Sequence, residues 1–201
     1  MEPGHYTAEI PHRRIFYSPN LERRFRGMWR LFKEGGKKDA SVFEEFQVLH
    51  TIPGFRFAHR NGGLFAESVV ALELHHKGYT CFRTCSLFRR RRGKLPEVYE
   101  PVEARLARAS LPMPREFGTR IQPTPRNPDL TGCLDRKWRF YEVKRGPDEQ
   151  PSEGQLVALA VLRELLIAKV EVEVEVVRVL EQRDAEAGDR RSHYRCSYTL
   201  T

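Results

Sequence analysis

Long apolar runs are missing from this chain of 201 residues. No stretch approaches the roughly 18 consecutive apolar residues of a membrane-spanning helix, so we expect no contact with a membrane. The first residues, MEPGHYTAEIPHRR, also lack the apolar core of a secretory signal, which argues against secretion. Together these two absences predict a cytoplasmic protein.

Cysteine is scarce, with four residues in the whole chain. Four cysteines do not make a disulfide framework for a chain of this length, and a reducing cytosol is the simpler context. Cys81 and Cys85 do not have the spacing of a Cys-x2-Cys metal knuckle. Like Cys133 and Cys196, they fall in strand-like segments, so we expect buried free thiols.

Acidic residues are outnumbered by basic ones. There are 35 Lys and Arg against 27 Asp and Glu, a formal net charge of +8. The isoelectric point is about 9.5. This excess of positive charge suits a polyanionic partner such as DNA. Net charge gives information about binding and not about the fold. The length is sufficient for one domain with a substantial core and an appended lobe.

Residues 1–60 predict an N-terminal arm and a helical lobe that packs on the core. The segment 1–17 is polar and contains proline, so we expect an irregular arm. Ser18-Pro19 is typical of a helix start, and Gly35-Gly36 of a helix end. A second helix should follow, because Ser41 and Glu44 have the capping-box pattern.

Two groups of basic residues are candidates for binding nucleic acid. Arg23 and Arg30 lie on the basic face of the first helix, which either touches phosphates or is simply solvated. The second group is a run of five like charges that repel one another unless a polyanion neutralises them. A phosphate-binding loop is the favoured interpretation, and a solvated loop the alternative. The run consists of Arg89, Arg90, Arg91, Arg92 and Lys94.

The segment 61–201 predicts an α/β core. A helix over Gly62–Lys77 should end at Gly78 and lead into a strand over Tyr79–Phe88. About 40 residues (89–128) then separate this strand from the next one, a long insertion of the kind that is often functional.

The stretch from Asn127 to Gln155 has the pattern of two strands joined by a turn, followed by a helix. Residues 138–144 are rich in aromatic and β-branched side chains, which suit a strand. Side chains alternate along a strand, so Glu142 and Lys144 should point to the same face. A turn with an even number of residues places Asp129 opposite Glu142. An odd-numbered turn would separate them unless a bulge restored the phase.

Two acids and a lysine at one sheet edge are the parts of a metal-dependent phosphodiester hydrolase. Carboxylate oxygens suit Mg²⁺, which is usually held by one or two carboxylates together with waters and phosphate oxygens. A lysine beside them can orient an attacking water or neutralise charge on a phosphate. A surface hairpin with solvated Glu and Lys is the alternative.

The pattern Pro128-Asp129, followed after a hairpin by Glu142-Val143-Lys144, resembles the PD-(D/E)xK nuclease superfamily. Its continuation through Gly146-Pro147 and Gln155 into an apolar helix and a Val-rich strand is similar to the VRR-NUC branch. The resemblance covers roughly residues 62–179 and would make residues 61–201 the nuclease core. This sequence departs from the family pattern at Asn127, where a glycine often stands, and at the inserted Arg145.

The resemblance implies a role for each matching residue. Asp129 and Glu142 would bind the metal, with the backbone carbonyl of Val143 as a further ligand. Lys144 would be catalytic, and Gln155 would support the site. Glu67, on the first core helix, is a third acidic candidate for the metal. A solvated first-turn acid is its alternative, and for Gln155 the alternative is a capping box with Ser152.

The remaining chain completes the expected sheet. Residues 156–167 predict a buried helix, and residues 170–176 a strand whose glutamates are either solvated or paired with basic neighbours. Residues 194–200 suggest a last strand at an edge. We therefore expect an α/β fold with a mixed central sheet flanked by helices, which fits the restriction-endonuclease-like core that the resemblance implies.

The favoured function is a Mg²⁺-dependent deoxyribonuclease, with Mn²⁺ as a substitute and structure-specific cleavage left open. DNA repair and phage defence are the biological settings considered. The alternative is a module on the same fold that binds nucleic acid without cutting it, or a structural subunit. An RNA substrate is a weaker option, since nothing in the sequence indicates recognition of a 2′-hydroxyl. A homodimer is also left open.

Overall fold

The computed structural model describes residues 1–52, 65–83, 87–88, 100–184 and 191–201. Its strands are β1 (Gly4–Tyr17), β2 (Thr80–Arg83), β3 (Ile121–Gln122), β4 (Leu130–Leu134), β5 (Lys137–Arg145), β6 (Glu171–Glu181) and β7 (His193–Leu200). Its helices are α1 (Pro19–Gly35), α2 (Lys37–Ala40), α3 (Glu44–Leu49), α4 (Phe65–His76), α5 (Glu100–Arg108) and α6 (Glu153–Leu166). Short 3₁₀ turns cover Pro114–Glu116 and Gln182–Asp184.

The seven strands form one mixed sheet in the order β2-β4-β5-β6-β1-β7-β3. Strands β2, β4 and β5 are antiparallel neighbours, whereas β5 and β6 run parallel. Parallel neighbours need a crossover connection, and α6 provides it between β5 and β6. The chain is therefore α/β with a mixed sheet flanked by helices, as the sequence predicts.

The sheet is covered on both faces, and β5 contributes to both layers. Trp138 and Phe140 point into a core that includes the apolar side of α6. Tyr141 and Val143 point into a second core formed with α4 and the N-terminal helices. Burial of both faces explains why residues 140–144 of β5 are buried at successive positions instead of alternating with exposed ones.

The expectation of an irregular N-terminal arm is wrong. The segment 4–17 is a long strand within the sheet, pairing with β7 over Gly4–Pro11 and with β6 over His12–Tyr17. Few of its side chains are buried, so its apolar pattern is weak. Its polar side chains bond to neighbouring strands instead, as in the ion pair between Arg13 and Glu175. The strand is specified by partners that lie far away in sequence.

Two smaller expectations are also wrong. Helix α3 begins after Phe43, and the Ser41 hydroxyl donates to the carbonyl of Lys38, so Ser41 and Glu44 form no capping box. Strand β7 is not at an edge, because the short β3 pairs with its free side.

The helix that was expected to begin at Gly62 is described from Phe65 onwards.

Other expectations are confirmed. Helix α1 starts at Pro19 and ends at Gly35, and the glutamates of β6 pair with basic residues such as Arg13 and Arg139. Cys81, Cys133 and Cys196 are buried free thiols, while Cys85 lies outside the described residues. No helix in the described ranges combines the length and apolar character needed to span a bilayer.

Candidate active site

The β4–β5 hairpin turns through two residues, Asp135 and Arg136. Asp135 takes a left-handed conformation with φ of 51°, which aspartate tolerates better than most residues. The pairing runs from Leu134 opposite Lys137 back to Leu130 opposite Tyr141. Continued by one position, this register places Asp129 opposite Glu142, as an even-numbered turn requires.

Asp129 lies just before β4 and is held by the backbone of β5. Its Oδ2 accepts a hydrogen bond of 2.9 Å from the Val143 N–H. The side chain is half-buried and lies at the end of the β4–β5 hairpin opposite its turn. This bond fixes the carboxylate at the end of the hairpin, beside the side chain of Glu142.

Lys144 donates a hydrogen bond to Glu142 inside the protein. Lys144 Nζ lies 2.8 Å from Glu142 Oε1, and the two residues are only 6% and 1% exposed, respectively. Lys144 also lies 3.5 Å from a carboxylate oxygen of Glu149, an exposed residue in the turn after β5. Taking charges out of water is costly unless they are well paired. The structure retains this pair at the end of the hairpin despite that cost.

Gln155 contacts both the helix start and the acidic residue. Its Oε1 accepts a hydrogen bond of 2.7 Å from the Ser152 N–H, which caps α6. Its Nε2 donates to Glu142 Oε1. Gln155 therefore makes the capping contact and also contacts Glu142, while its support of catalysis stays a prediction.

The environment of Glu142 strongly favours its neutral form. Burial raises the pKa of Glu142, the nearby Asp129 raises it further, and Lys144 offsets only part of this, so the pKa is about 9. Burial acts to lower the pKa of Lys144, but the charge and hydrogen bond of Glu142 outweigh it and the pKa is raised. Burial and the neighbouring Asp129 carboxyl thus favour a proton on Glu142 at neutral pH.

The donor set fits a hard divalent cation. Glu142 Oε2 is buried and has no hydrogen-bond partner among the described residues. Both acids offer carboxylate oxygens, the ligands that Mg²⁺ and Mn²⁺ prefer. The described residues contain no group of three or more His, Cys, Asp or Glu side chains arranged around one metal position. Two carboxylates are thus the set that the described geometry offers.

Comparisons with protein-family models, curated proteins and solved structures give no match for this chain. The interpretation of the site therefore depends on its own geometry and chemistry.

Glu67 lies on α4, at a half-buried position. Helix α4 packs on the sheet face that carries Leu130, Tyr141 and Val143. Glu142 and Lys144 alternate with those residues and point to the face covered by α6. A metal role for Glu67 would require its carboxylate to reach the edge of the sheet, and this role stays a prediction.

Helix α1 lies close to the end of β5. Arg145, the residue after Lys144, pairs with Glu22 of α1 at 2.6 Å. Arg23 and Arg30 are exposed on the same helix, and Arg23 bonds to the side chain of Asn20. Their role in binding nucleic acid stays a prediction. The basic run Arg89–Arg92 with Lys94 lies outside the described residues.

Two charged residues near the site were not recognised as candidates from the sequence alone. Glu149 contacts Lys144 from the turn that follows β5. Arg178 lies beside Lys144 in the paired strand β6 and is fully buried. A signal for Arg178 was available, because it is the one charge in the apolar run Val-Val-Arg-Val-Leu. A lone arginine at an inward-facing position of a buried strand indicates a specific partner.

Proposed function

We propose that this protein is a metal-dependent nuclease that hydrolyses phosphodiester bonds of DNA. The observation that carries the proposal is the meeting of Asp129, Glu142 and Lys144 at one end of the β4–β5 hairpin. A surface hairpin would leave Glu142 and Lys144 in water, whereas here both are buried and paired. An acid held neutral by burial and a second carboxyl is typical of a functional site.

The order of elements supports the same proposal. Helix α4 is followed by the antiparallel strands β2, β4 and β5, then by α6 and the parallel strand β6. This is the arrangement expected for a restriction-endonuclease-like core, with the acids of the PD-(D/E)xK pattern on the central hairpin. The net charge of +8 suits a DNA partner.

In this proposal, Asp129 and Glu142 hold Mg²⁺ or Mn²⁺, with the Val143 carbonyl and Glu67 as further candidate ligands. A cation held by these residues would supply positive charge that favours attack of water on the scissile phosphate. Glu142 would hold a cation as the carboxylate, with its proton passing to solvent. Lys144 places an ammonium beside the reacting phosphate, where it orients the attacking water or neutralises developing charge. Gln155 keeps the Glu142 carboxyl in place.

The test is cleavage of supercoiled, linear, branched and single-stranded DNA with Mg²⁺, Mn²⁺ or EDTA. We expect metal-dependent cleavage that falls by at least about 100-fold in Lys144→Ala and Asp129→Ala, because each removes a group that acts on the transition state. DNA binding should change little in both variants. Lys137→Ala is the matched control, since Lys137 is exposed at the other end of β5.

Retention of metal-dependent cleavage in purified Lys144→Ala would contradict the proposal. The second candidate, a binding module or structural subunit, would be favoured if the wild-type protein bound DNA without cutting any substrate. A buried Glu–Lys pair that is hydrogen-bonded to a glutamine is also compatible with such a structural role. RNA substrates tested in the same assay show whether the protein cleaves DNA or RNA.

A further inference from the structure

Arg178 is a fully buried arginine whose place in the fold is unusual. It lies directly opposite Lys144 in the parallel pairing of β5 and β6. Among the described residues its two terminal nitrogens bond to backbone carbonyls and a tyrosine hydroxyl and not to a carboxylate, and its Nε has no hydrogen-bond partner. Burying an arginine without a counter-charge is costly unless its donors are satisfied by other groups. Its hydrogen bonds therefore indicate what the residue is retained for.

The guanidinium of Arg178 binds the turn that follows β5. One terminal nitrogen donates to the carbonyls of Gly146 and Pro147, at 2.7 and 2.9 Å. The other donates to the Tyr194 hydroxyl at 2.9 Å, and this hydroxyl donates to Gln150 at 3.3 Å. One side chain thus supports the turn directly at its start and, through Tyr194, at its end.

The same turn carries a contact of Lys144. Glu149 accepts a hydrogen bond of 2.8 Å from the Arg145 N–H and lies 3.5 Å from Lys144 Nζ. Lys144 is therefore held between Glu142 on its own strand and Glu149 in the turn. Gly146 enters the turn with φ of 76°, a left-handed conformation that glycine adopts without steric cost.

We propose that Arg178 is a positioning residue for Lys144. It clamps the turn 146–150 so that Glu149 fixes the ammonium of Lys144 at the place where the reaction needs it. This inference rests on the proposed nuclease activity. The planar fork of arginine suits the role, because it donates in two directions at once, whereas lysine offers a single ammonium.

The test measures kcat and KM for DNA cleavage in Arg178→Lys, Glu149→Gln and the double variant. We expect each single variant to lower kcat by about 10-fold or more at unchanged KM, the range seen when a supporting residue around a reactive group is lost. The double variant should be no slower than the slower single variant, because both changes act through the same placement of Lys144. A purely structural role predicts multiplied effects.

Arg163→Lys is the matched control, since Arg163 donates to the Glu9 carbonyl from α6 and lies outside the turn. It should leave kcat unchanged. If Arg178→Lys does not fold, Tyr194→Phe replaces it, because this change removes the hydroxyl that links Arg178 to Gln150. Unchanged kcat in the folded Arg178 or Tyr194 variant, or multiplied effects in the double variant, would overturn the inference.

Amide hydrogen exchange tests the clamp without any activity. The Arg145 N–H is bonded to Glu149, and the Gly146 N–H to the Val179 carbonyl. Both amides should exchange at least about 10-fold faster in Arg178→Lys than in the wild type, because the turn opens locally. Equal exchange rates would overturn the positioning role. A wild-type protein that cuts no substrate would instead refute the nuclease proposal itself.

Discussion

The side-chain amide of Gln155 joins the first turn of α6 to the carboxyl of Glu142. Its oxygen accepts the Ser152 N–H, and its nitrogen donates to Glu142 Oε1. A helix cap thereby orients a candidate metal ligand on the neighbouring strand. The stability of the helix start and the geometry of the site depend on the same side chain.

Gln155→Ala should therefore reduce both stability and activity. Loss of the cap should cost about 0.5–2 kcal/mol of unfolding free energy, measured by urea denaturation. Loss of the contact with Glu142 should lower the cleavage rate by roughly 10-fold to 100-fold, as for other residues that support metal ligands. Gln182→Ala, at an exposed position, is the control for both measurements. Wild-type cleavage by Gln155→Ala would limit the residue to its capping role.

Asp129→Asn should abolish the stabilisation of the protein by divalent cations. A cation that binds only the folded state raises the melting temperature by mass action, and the amide of asparagine removes one anionic ligand. The measurement is the melting temperature with Mg²⁺, with Mn²⁺ and with EDTA. Asp135→Asn makes the same change in the exposed turn of the same hairpin, and it should keep the wild-type shift. Equal shifts in both variants would place the cation elsewhere.

Glu142→Gln should flatten the pH dependence of stability in EDTA. The folded protein raises the pKa of Glu142 from 4.5 to about 9, so between these values the folded state binds more protons than the unfolded state. Stability contributed by this group is then present at low pH and is lost as pH rises towards about 9. Glutamine does not titrate, so the melting temperature of the variant should fall less than that of the wild type between about pH 5 and pH 9. An unchanged slope would contradict the raised pKa.

Glu73 should make the opposite contribution, away from the site. Burial acts to raise its pKa, but hydrogen bonds from Lys77 and Arg13 outweigh it and the pKa is lowered. Arg13 binds both oxygens of Glu73 at 2.9 and 3.0 Å, which joins β1 to α4. A lowered carboxyl pKa stabilises the fold above the unfolded value and loses this effect as pH falls through the folded value.

Glu73→Gln should therefore cost about 1–3 kcal/mol of unfolding free energy at neutral pH, the range for hydrogen bonds to charged groups. The cost should shrink towards zero as pH falls below the usual carboxyl pKa of about 4.3. Urea unfolding at a series of pH values measures it, with the exposed Glu164→Gln as control. A cost that does not change with pH would show that packing, and not charge, is what Glu73 supplies.

The parts of the site that were predictable are those set by neighbours in the chain. Glu142 and Lys144 are two residues apart on a strand, so they share a face whatever packs against it. Ser152 and Gln155 have the spacing of a capping box, which is likewise local. The length of the β4–β5 turn was left open by the sequence, and the structure shows the two-residue form that places Asp129 opposite Glu142.

The long-range relationships were not predictable in the same way. Strand β1 has too few buried side chains to show a strand pattern, and its place between β6 and β7 depends on segments more than 150 residues away. Arg178 could be recognised as a buried charge, but its alignment with Lys144 follows from the parallel register of β5 and β6. No local pattern encodes such a register.

The amino-acid sequence by itself determined which side chains could share the site, because alternation along a strand and capping at a helix start are local geometry. The tertiary structure decided how those side chains behave. Only the packing of β6, α6 and the turn 146–150 around the end of β5 buries Glu142, raises its pKa and holds Lys144 between the side chains of Glu142 and Glu149. Burial and electrostatic environment are properties of groups brought together from distant parts of the chain.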